Sequence, residues 1–186
     1  MIITITGKPC SGKSVVIEKM MEKYGFTKFS AGEIYRKYGQ QKGLDVLQTN
    51  RSGDHTIDKL VDDEITEIGK RDIDKDIIFD SRTAWHFIPK SFKVFLDIQP
   101  EEQVKRLLGS GRTGSENVDI SPEQARKDLD ERWKLENDRY LLLYGFDNRN
   151  PENYDLVIDT TDKKIEEIAE EIYAKYQLHL RDKITL

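Results

Sequence analysis

The chain has 186 residues, of which 35% are charged and 37% are hydrophobic, and its formal net charge is −5. This length suits one compact domain with its own core and is too short for two full domains, while the composition excludes a chain too polar to fold. The negative charge argues against a protein that binds nucleic acid or an anionic membrane through an overall positive field, because such binding requires clustered Lys and Arg.

Short apolar runs alternate with helical patterns along the chain. Ser30 is expected to cap a helix, since Glu33 follows it by three residues. The tail at 177–186 receives no assignment. In chain order, the patterns predict a strand at 2–6, a helix after residue 13, a strand at 26–29, helices at 31–38 and 54–70, strands at 76–79 and 92–98, helices at 100–109 and 122–143, a strand at 154–159 and a helix at 164–176.

The predicted strands are short and continuously apolar, and helices lie between them. This pattern is typical of a five-stranded parallel sheet with helices on both faces, which is a three-layer α/β fold. Ligands bind such sheets at the carboxyl ends of the strands. Candidate site residues should therefore follow Thr6, Phe29, Phe79, Ile98 and Asp159.

A glycine-rich motif joins the first predicted strand to the first helix. Residues 7–14 are GKPCSGKS, which satisfies G-x-x-x-x-G-K-[ST] in the structural context that this motif requires. Its backbone N–H groups surround a phosphate, Lys13 reaches the β- and γ-phosphates, and the Ser14 hydroxyl is a ligand of Mg²⁺. A chance glycine turn is the alternative, and the four fixed positions disfavour it. We therefore predict that ATP and Mg²⁺ bind at Gly7, Lys8, Pro9, Cys10, Ser11, Gly12, Lys13, Ser14 and Val15.

A phosphate loop does not identify the group that receives the phosphate, since motors, switches, transporters and kinases share it. Three further segments carry arginines in positions suited to an acceptor: SAGEIYR at 30–36, DSR at 80–82 and RYLLLYG at 139–145. Together with the phosphate loop, they resemble in type and order the cytidylate kinase family, in particular its short archaeal-type branch. That branch has S-A-G-x-x-(F/Y)-R, D/E-G-R and R-Y-x-x-x-Y-G segments. The resemblance runs from residue 1 to about residue 161.

The resemblance implies a single P-loop kinase domain over 1–186, with an acceptor-binding region at about 30–70 and a lid at about 109–122. It implies transfer of the ATP γ-phosphoryl group to CMP or dCMP. The implied acceptor-binding residues are Ser30, Arg36, Asp80 and Arg82. Asp80 could instead belong to the magnesium shell. The implied catalytic residues are Lys13, Arg106, Arg132 and Arg139, and Arg112 is a weaker candidate in the lid.

Some residues depart from the family pattern. Ser81 replaces the usual glycine, Thr83 stands where an acid is common, and 62–64 are all acidic where many members have an arginine, so the residues that contact the base are not assigned. We expect Trp85 and Phe87 to lie in the core rather than to stack on a base. The histidines His55 and His86 are assigned no catalytic role.

Two alternatives remain open: a P-loop kinase with a different small phosphorylated acceptor, and a regulatory module that binds a nucleotide without transferring phosphate. The absence of a guanine-reading N-K-x-D segment disfavours the second. The single cysteine, Cys10, permits no disulfide within the chain. With no signal peptide and no apolar stretch of about 20 residues, we expect a cytoplasmic monomer whose partners are small nucleotides, not membranes or nucleic acids.

Overall fold

The computed structural model describes residues 2–43, 48, 56–72, 75–109 and 120–184. Its sheet has five parallel strands in the order β2-β3-β1-β4-β5. The strands are β1 (Ile2–Gly7), β2 (Thr27–Ser30), β3 (Ile77–Asp80), β4 (Phe92–Asp97) and β5 (Leu156–Asp159). The helices are α1 (Lys13–Tyr24), α2 (Ala31–Gln41), α3 (Thr56–Arg71), α4 (Ala84–Phe87), α5 (Pro100–Gly109), α6 (Pro122–Tyr144) and α7 (Ile165–Ile184), and a short 3₁₀ turn spans Pro151–Asn153.

The register of the strands brings their carboxyl ends to one edge of the sheet. Ile5 on β1 pairs with Asp80 on β3, which in turn pairs with Ser30 on β2. On the other side, Gly7 pairs with Leu96 on β4. The prediction of a parallel α/β fold is therefore confirmed, and the residues that follow the strands lie at a common edge.

Two apolar layers hold the helices against the sheet. On one side, α1 and α7 pack on the central strands, and Tyr176 of α7 is fully buried there. On the other side, α3 and α4 pack on β1 and β3 through residues such as Ile65 and Phe79. All six residues of β1 are buried, which explains why this strand is continuously apolar apart from its threonines.

The structure corrects some element boundaries. The last helix continues to Ile184 instead of ending at residue 176, because Leu180 in the unassigned tail still packs against the core. The short helix α4 was not predicted. Most of the predicted lid, including Arg112, and also His55 lie outside the described residues. Within the described part of the chain, no helix is long and apolar enough to cross a membrane.

Candidate active site

The phosphate loop makes a close turn at the end of β1. Gly7 has φ +153°, and a β-carbon at this position would lie 2.3 Å from the carbonyl oxygen of Leu96, so only glycine fits. Gly12, which precedes α1, has a left-handed φ of +88°. The Lys13 ammonium donates hydrogen bonds to the carbonyl oxygens of Gly7 at 3.2 Å and of Lys8 at 3.3 Å. The loop thus curls around the lysine that the sequence assigned to phosphate binding.

Three neighbouring elements fix the outer side of this loop. The Lys8 ammonium forms an ion pair with Asp97 at 2.6 Å, at the end of β4. The Gln103 side-chain amide, on α5, donates to the carbonyl oxygen of Pro9 at 2.8 Å. The Thr160 hydroxyl, just beyond β5, lies 3.1 Å from the carbonyl oxygen of Ser11 and donates to it. The loop conformation is therefore held by tertiary contacts as well as by its glycines.

Charged side chains from outside the loop surround Lys13. The pKa of Lys13 is lowered to about 7: burial is the largest cause, Arg82 and Arg132 add to the lowering, and Asp80 and Glu136 act in the opposite direction. Lys13 therefore shares its site with two other cations, the guanidinium groups of Arg82 and Arg132. Such a site favours a polyanion, since bound phosphate oxygens would raise the pKa of Lys13 and stabilise its charged form.

A buried carboxylate joins the two arginines of this group. Glu136 on α6 accepts from Nε of Arg82 at 2.8 Å on one oxygen and from Nε of Arg132 at 3.0 Å on the other. Burial alone would raise the pKa of Glu136, but the two guanidinium groups outweigh it and lower the pKa to about 2. Sequence analysis assigned Arg82 and Arg132 but missed Glu136.

Asp80 ends β3 and acts electrostatically on Lys13. No described side chain donates a hydrogen bond to its carboxylate, so the oxygens are available to a cation. Within the described residues there is no group of three or more His, Cys, Asp or Glu side chains that could hold a metal. Mg²⁺ needs only one or two carboxylates when it also binds substrate phosphates, so Asp80 together with Ser14 fits this ion.

Two of the predicted acceptor residues, Ser30 and Arg36, lie at the start of α2 and on α2. Ser30 caps α2, where its hydroxyl oxygen accepts from the Glu33 backbone N–H at 3.3 Å, as predicted. Arg36 is exposed, and its Nη1 lies 3.3 Å from the position of a β-carbon built on Gly32. Arg36 thus lies on the surface of α2, and its role in holding an acceptor remains a prediction.

Arg139 is buried against the helices of the predicted acceptor region. Its Nε lies 3.2 Å from a carboxylate oxygen of Asp58 on α3, and its Nη1 donates to the hydroxyl of Tyr35 on α2 at 2.9 Å. The Tyr35 and Tyr140 rings lie 5.2 Å and 5.0 Å from the guanidinium carbon. Burial alone would lower the pKa of Arg139, but Tyr140, Asp58 and Tyr35 raise it. Arg139 thus links α6 to the two helices of the predicted acceptor region.

Arg106 lies beside the phosphate loop but is tied to the segment after β5. Its Nη2 donates to the carbonyl oxygens of Thr160 at 2.7 Å and Thr161 at 3.0 Å, and its Nε pairs with Glu102. A β-carbon built on Gly12 would lie 3.9 Å from its Nη1. These contacts are structural, and a catalytic role for Arg106 stays a prediction.

Three of the residues that depart from the family pattern, Ser81, Thr83 and Asp62, form one connected network. The Ser81 hydroxyl oxygen accepts from the backbone N–H of Thr83 at 3.1 Å and of Ala84 at 3.2 Å, which caps the start of α4. The Thr83 hydroxyl donates to Asp62 on α3 at 2.7 Å, and the Tyr144 hydroxyl donates to the other oxygen of Asp62. Sequence analysis noted these departures one by one, but only the fold shows that they are in contact.

Trp85 is a core residue, as expected. It is buried against Phe146 and Tyr154, and its indole N–H donates to Asn148 at 2.8 Å. Phe87 packs at the edge of the α3 layer. His86 is exposed on α4, where its ring lies next to those of Phe87 and Phe146.

The amino-acid sequence matches the cytidylate kinase-like family over residues 2–162. A cytidylate kinase of Methanocella arvoryzae is 30% identical to this chain over 163 residues, which cover 87% of this chain and 88% of that kinase. A shikimate kinase of Acinetobacter baumannii, solved in complex with shikimate, has a TM-score of 0.60 and 17% identity, covering 98% of this chain and 94% of that chain. The structural likeness shows the fold alone.

A third relative is a larger protein. An S-adenosylmethionine-dependent nucleotide dehydratase of Lacinutrix mariniflava is 31% identical over 179 residues, which are 94% of this chain but 36% of that protein. This chain therefore spans little more than a third of that relative. The family match, by contrast, covers most of the chain and includes both the phosphate loop and the acceptor-side segments. The chain belongs to the cytidylate kinase-like family and is a phosphotransferase.

Proposed function

We propose that the chain is an ATP-dependent nucleoside monophosphate kinase that transfers the γ-phosphoryl group of ATP to CMP or dCMP, giving CDP or dCDP. The observation that carries this proposal is the group of charges around Lys13, in which Arg82 and Arg132 come from outside the phosphate loop. A protein that only binds a nucleotide needs no such second set of cations. A phosphoryl transfer between two anions does need them.

The proposed roles follow from the charges and their positions. Phosphoryl transfer depends on positioning and electrostatic stabilisation, with little covalent chemistry for the protein to perform. Lys13 binds oxygens of the β- and γ-phosphates, while Arg82 and Arg132 neutralise the charge that spreads over the transferring group. Ser14 and Asp80 hold Mg²⁺, which neutralises phosphate charge when it is bound.

The acceptor is proposed to lie between α2, α3 and α6. Arg139, on α6, contacts Asp58 of α3 and Tyr35 of α2 and so joins these three helices. Tyr35 directly precedes Arg36 in the sequence. Cytidylate kinases of about 30% identity over most of the chain support CMP or dCMP as the acceptor. A second candidate is a nucleotide altered by dehydration, because the 31% identical relative is named as a nucleotide dehydratase.

The acceptor can be identified by measuring ADP release from ATP and Mg²⁺ with CMP, dCMP, UMP, AMP, GMP and dTMP, each added alone. Strong stimulation by CMP or dCMP is the expected result. Stimulation only by another monophosphate would keep the kinase and replace its acceptor. ATP binding without stimulation by any of them would contradict the proposal and favour a non-nucleotide acceptor or a regulatory module.

Replacing the loop lysine tests the donor side. Lys13→Ala is expected to abolish transfer without unfolding the protein, because the Lys13 ammonium binds phosphate while its contacts within the protein are two carbonyl oxygens. Lys19→Ala on the same helix is the matched control, since Lys19 forms surface ion pairs that contribute about 1 kcal/mol or less. Arg36→Ala is expected to raise KM for the monophosphate and to leave KM for ATP unchanged. Wild-type kinetics in both Lys13→Ala and Arg36→Ala would show that the site is wrongly assigned.

A further inference from the structure

Glu136 is the only residue of α6 in the described structure that pairs with two arginines from different parts of the fold. One of its oxygens binds Arg132, one turn earlier on the same helix, and the other binds Arg82, which follows β3. Its side chain is 7% exposed. Both arginine contacts are made by Nε atoms. The two terminal nitrogens of Arg82 therefore take no part in its pair with Glu136.

A second contact fixes the orientation of Arg82. Its guanidinium carbon lies 5.3 Å from the centre of the Trp133 ring, so α6 holds Arg82 through both an ion pair and an aromatic face. Nη1 of Arg82 is buried and has no hydrogen-bond partner among the described residues. A buried guanidinium donor without a partner is costly, and a phosphate oxygen would satisfy it.

The charges around Lys13 explain why an anion is needed between the arginines. Lys13, Arg82 and Arg132 are close enough that both arginines lower the pKa of the lysine. Without a counter-charge, these cations would repel one another before the nucleotide arrives. The groups that act in the opposite direction on Lys13 are Asp80, which is available to a cation, and Glu136, whose oxygens are both occupied by arginines.

We propose that Glu136 is a positioning residue that holds Arg82 and Arg132 beside Lys13 before substrates bind and keeps the terminal nitrogens of Arg82 directed towards the transferring phosphoryl group. Glu136 is not a catalytic base, because both of its oxygens accept from guanidinium groups and its charge would repel phosphate. This inference rests on the proposed phosphoryl transfer. It adds a residue that touches neither ATP nor the acceptor but on which the two catalytic arginines depend.

Steady-state kinetics of Glu136→Gln test this role. The variant keeps the size of the side chain but removes its charge, and displacement of the arginines is expected to lower kcat by about 100-fold. KM for ATP should change by less than about threefold, because the arginines act mainly on charge that develops in the transition state. Glu136→Asp should recover part of the lost kcat. Asp138→Asn is the matched control on α6, since Asp138 pairs with exposed Lys134, and wild-type kcat is expected.

A spectroscopic measurement keeps the inference testable whatever the acceptor is. In ¹H–¹⁵N spectra, the Nε–H resonances of Arg82 and Arg132, assigned with Arg→Lys variants, should shift or broaden in Glu136→Gln and stay in place in Asp138→Asn. If Glu136→Gln does not fold, Glu136→Asp is compared in the same way. Unchanged resonances, or wild-type kcat in Glu136→Gln, would overturn the inference. If the wild-type protein phosphorylates no monophosphate, the proposed function fails while the spectra still decide whether Glu136 positions the arginines.

Discussion

Replacing Asp62 with Asn is expected to change the way in which the stability of this protein depends on pH. Asp62 is 6% exposed and accepts hydrogen bonds from the hydroxyls of Thr83 and Tyr144. Burial raises its pKa from 3.8 to about 6, the two hydroxyls oppose this increase, and nearby Asp58 adds to it. The folded protein thus binds a proton at Asp62 more tightly than the unfolded chain does.

The sign and size of the effect follow from this difference in pKa. Because the pKa of Asp62 is higher in the folded state, its contribution to the free energy of unfolding is greatest below about pH 4 and is lost as the pH rises to about 6. At about 1.4 kcal/mol for each tenfold change in proton affinity, the loss is about 3 kcal/mol. Asn has no charge at any of these pH values and therefore does not show this loss.

Urea unfolding of both proteins at pH 4, 5, 6 and 7 measures the effect. The free energy of unfolding of Asp62→Asn, minus that of the wild type, should increase by about 2.4 kcal/mol from pH 4 to pH 7, because the unfolded chain is already partly deprotonated at pH 4. A lost hydrogen bond would shift this difference by a constant amount at every pH. Glu136, whose lowered pKa stabilises the fold above about pH 4.5 and less as the pH falls towards 2, is present in both proteins and cancels.

Two variants make the test selective. Asp63→Asn removes the same charge from the next, exposed position of α3, and its effect should stay within about 0.5 kcal/mol. Tyr144→Phe removes a hydroxyl that lowers the pKa of Asp62, so it should make the wild-type loss of stability between pH 4 and pH 7 larger. The reasoning would be refuted if the free energy of unfolding of Asp62→Asn, minus that of the wild type, stayed constant or fell between pH 4 and pH 7.

Two further predictions concern the phosphate loop. Gly7→Ala should destabilise the protein by about 3 kcal/mol or more and weaken ATP binding, because its β-carbon would lie 2.3 Å from the Leu96 carbonyl oxygen. Gly25→Ala is the control, since Gly25 has φ +76° and nothing lies within 4 Å of an added β-carbon. Thermal unfolding should show that this control loses only about 1–2 kcal/mol of stability. Arg106→Ala should cost about 1–3 kcal/mol, because it leaves the carbonyl oxygens of Thr160 and Thr161 without their donor, and calorimetry should show weaker ATP binding. Wild-type stability in Gly7→Ala or Arg106→Ala would contradict these contacts.

Sequence analysis could predict the sheet and the phosphate loop because local patterns encode them. A buried parallel strand is apolar on both faces, so β1 and β4 stand out as short hydrophobic runs. The phosphate loop needs glycine at fixed positions for its backbone conformation, and Gly7 and Gly12 have the positive φ values that this requirement implies. Such features depend on neighbours in sequence and do not require knowledge of the tertiary structure.

Glu136 was missed because its local context resembles a solvated surface. Its pair with Arg132 has the four-residue spacing that is common on exposed helices, and such pairs contribute little there. A signal was nevertheless present: Ala125, Leu129, Glu136 and Tyr140 recur at spacings of four, seven and four, which places Glu136 on the buried face of α6. An acid on the apolar face of a helix must find a cationic partner, and Arg82 supplies it from the segment after β3.

Glu136 and Asp62 show that burial alone does not determine the charge of a carboxylate in this site. Both are almost fully buried, yet the pKa of Glu136 is lowered to about 2 and that of Asp62 is raised to about 6. The difference lies in their partners, since Glu136 faces two guanidinium groups and Asp62 accepts from two neutral hydroxyls. At neutral pH the first charge stabilises the fold and the second reduces its stability. Stability therefore accounts for an acid at position 136 but not at position 62, where Asn would avoid the cost.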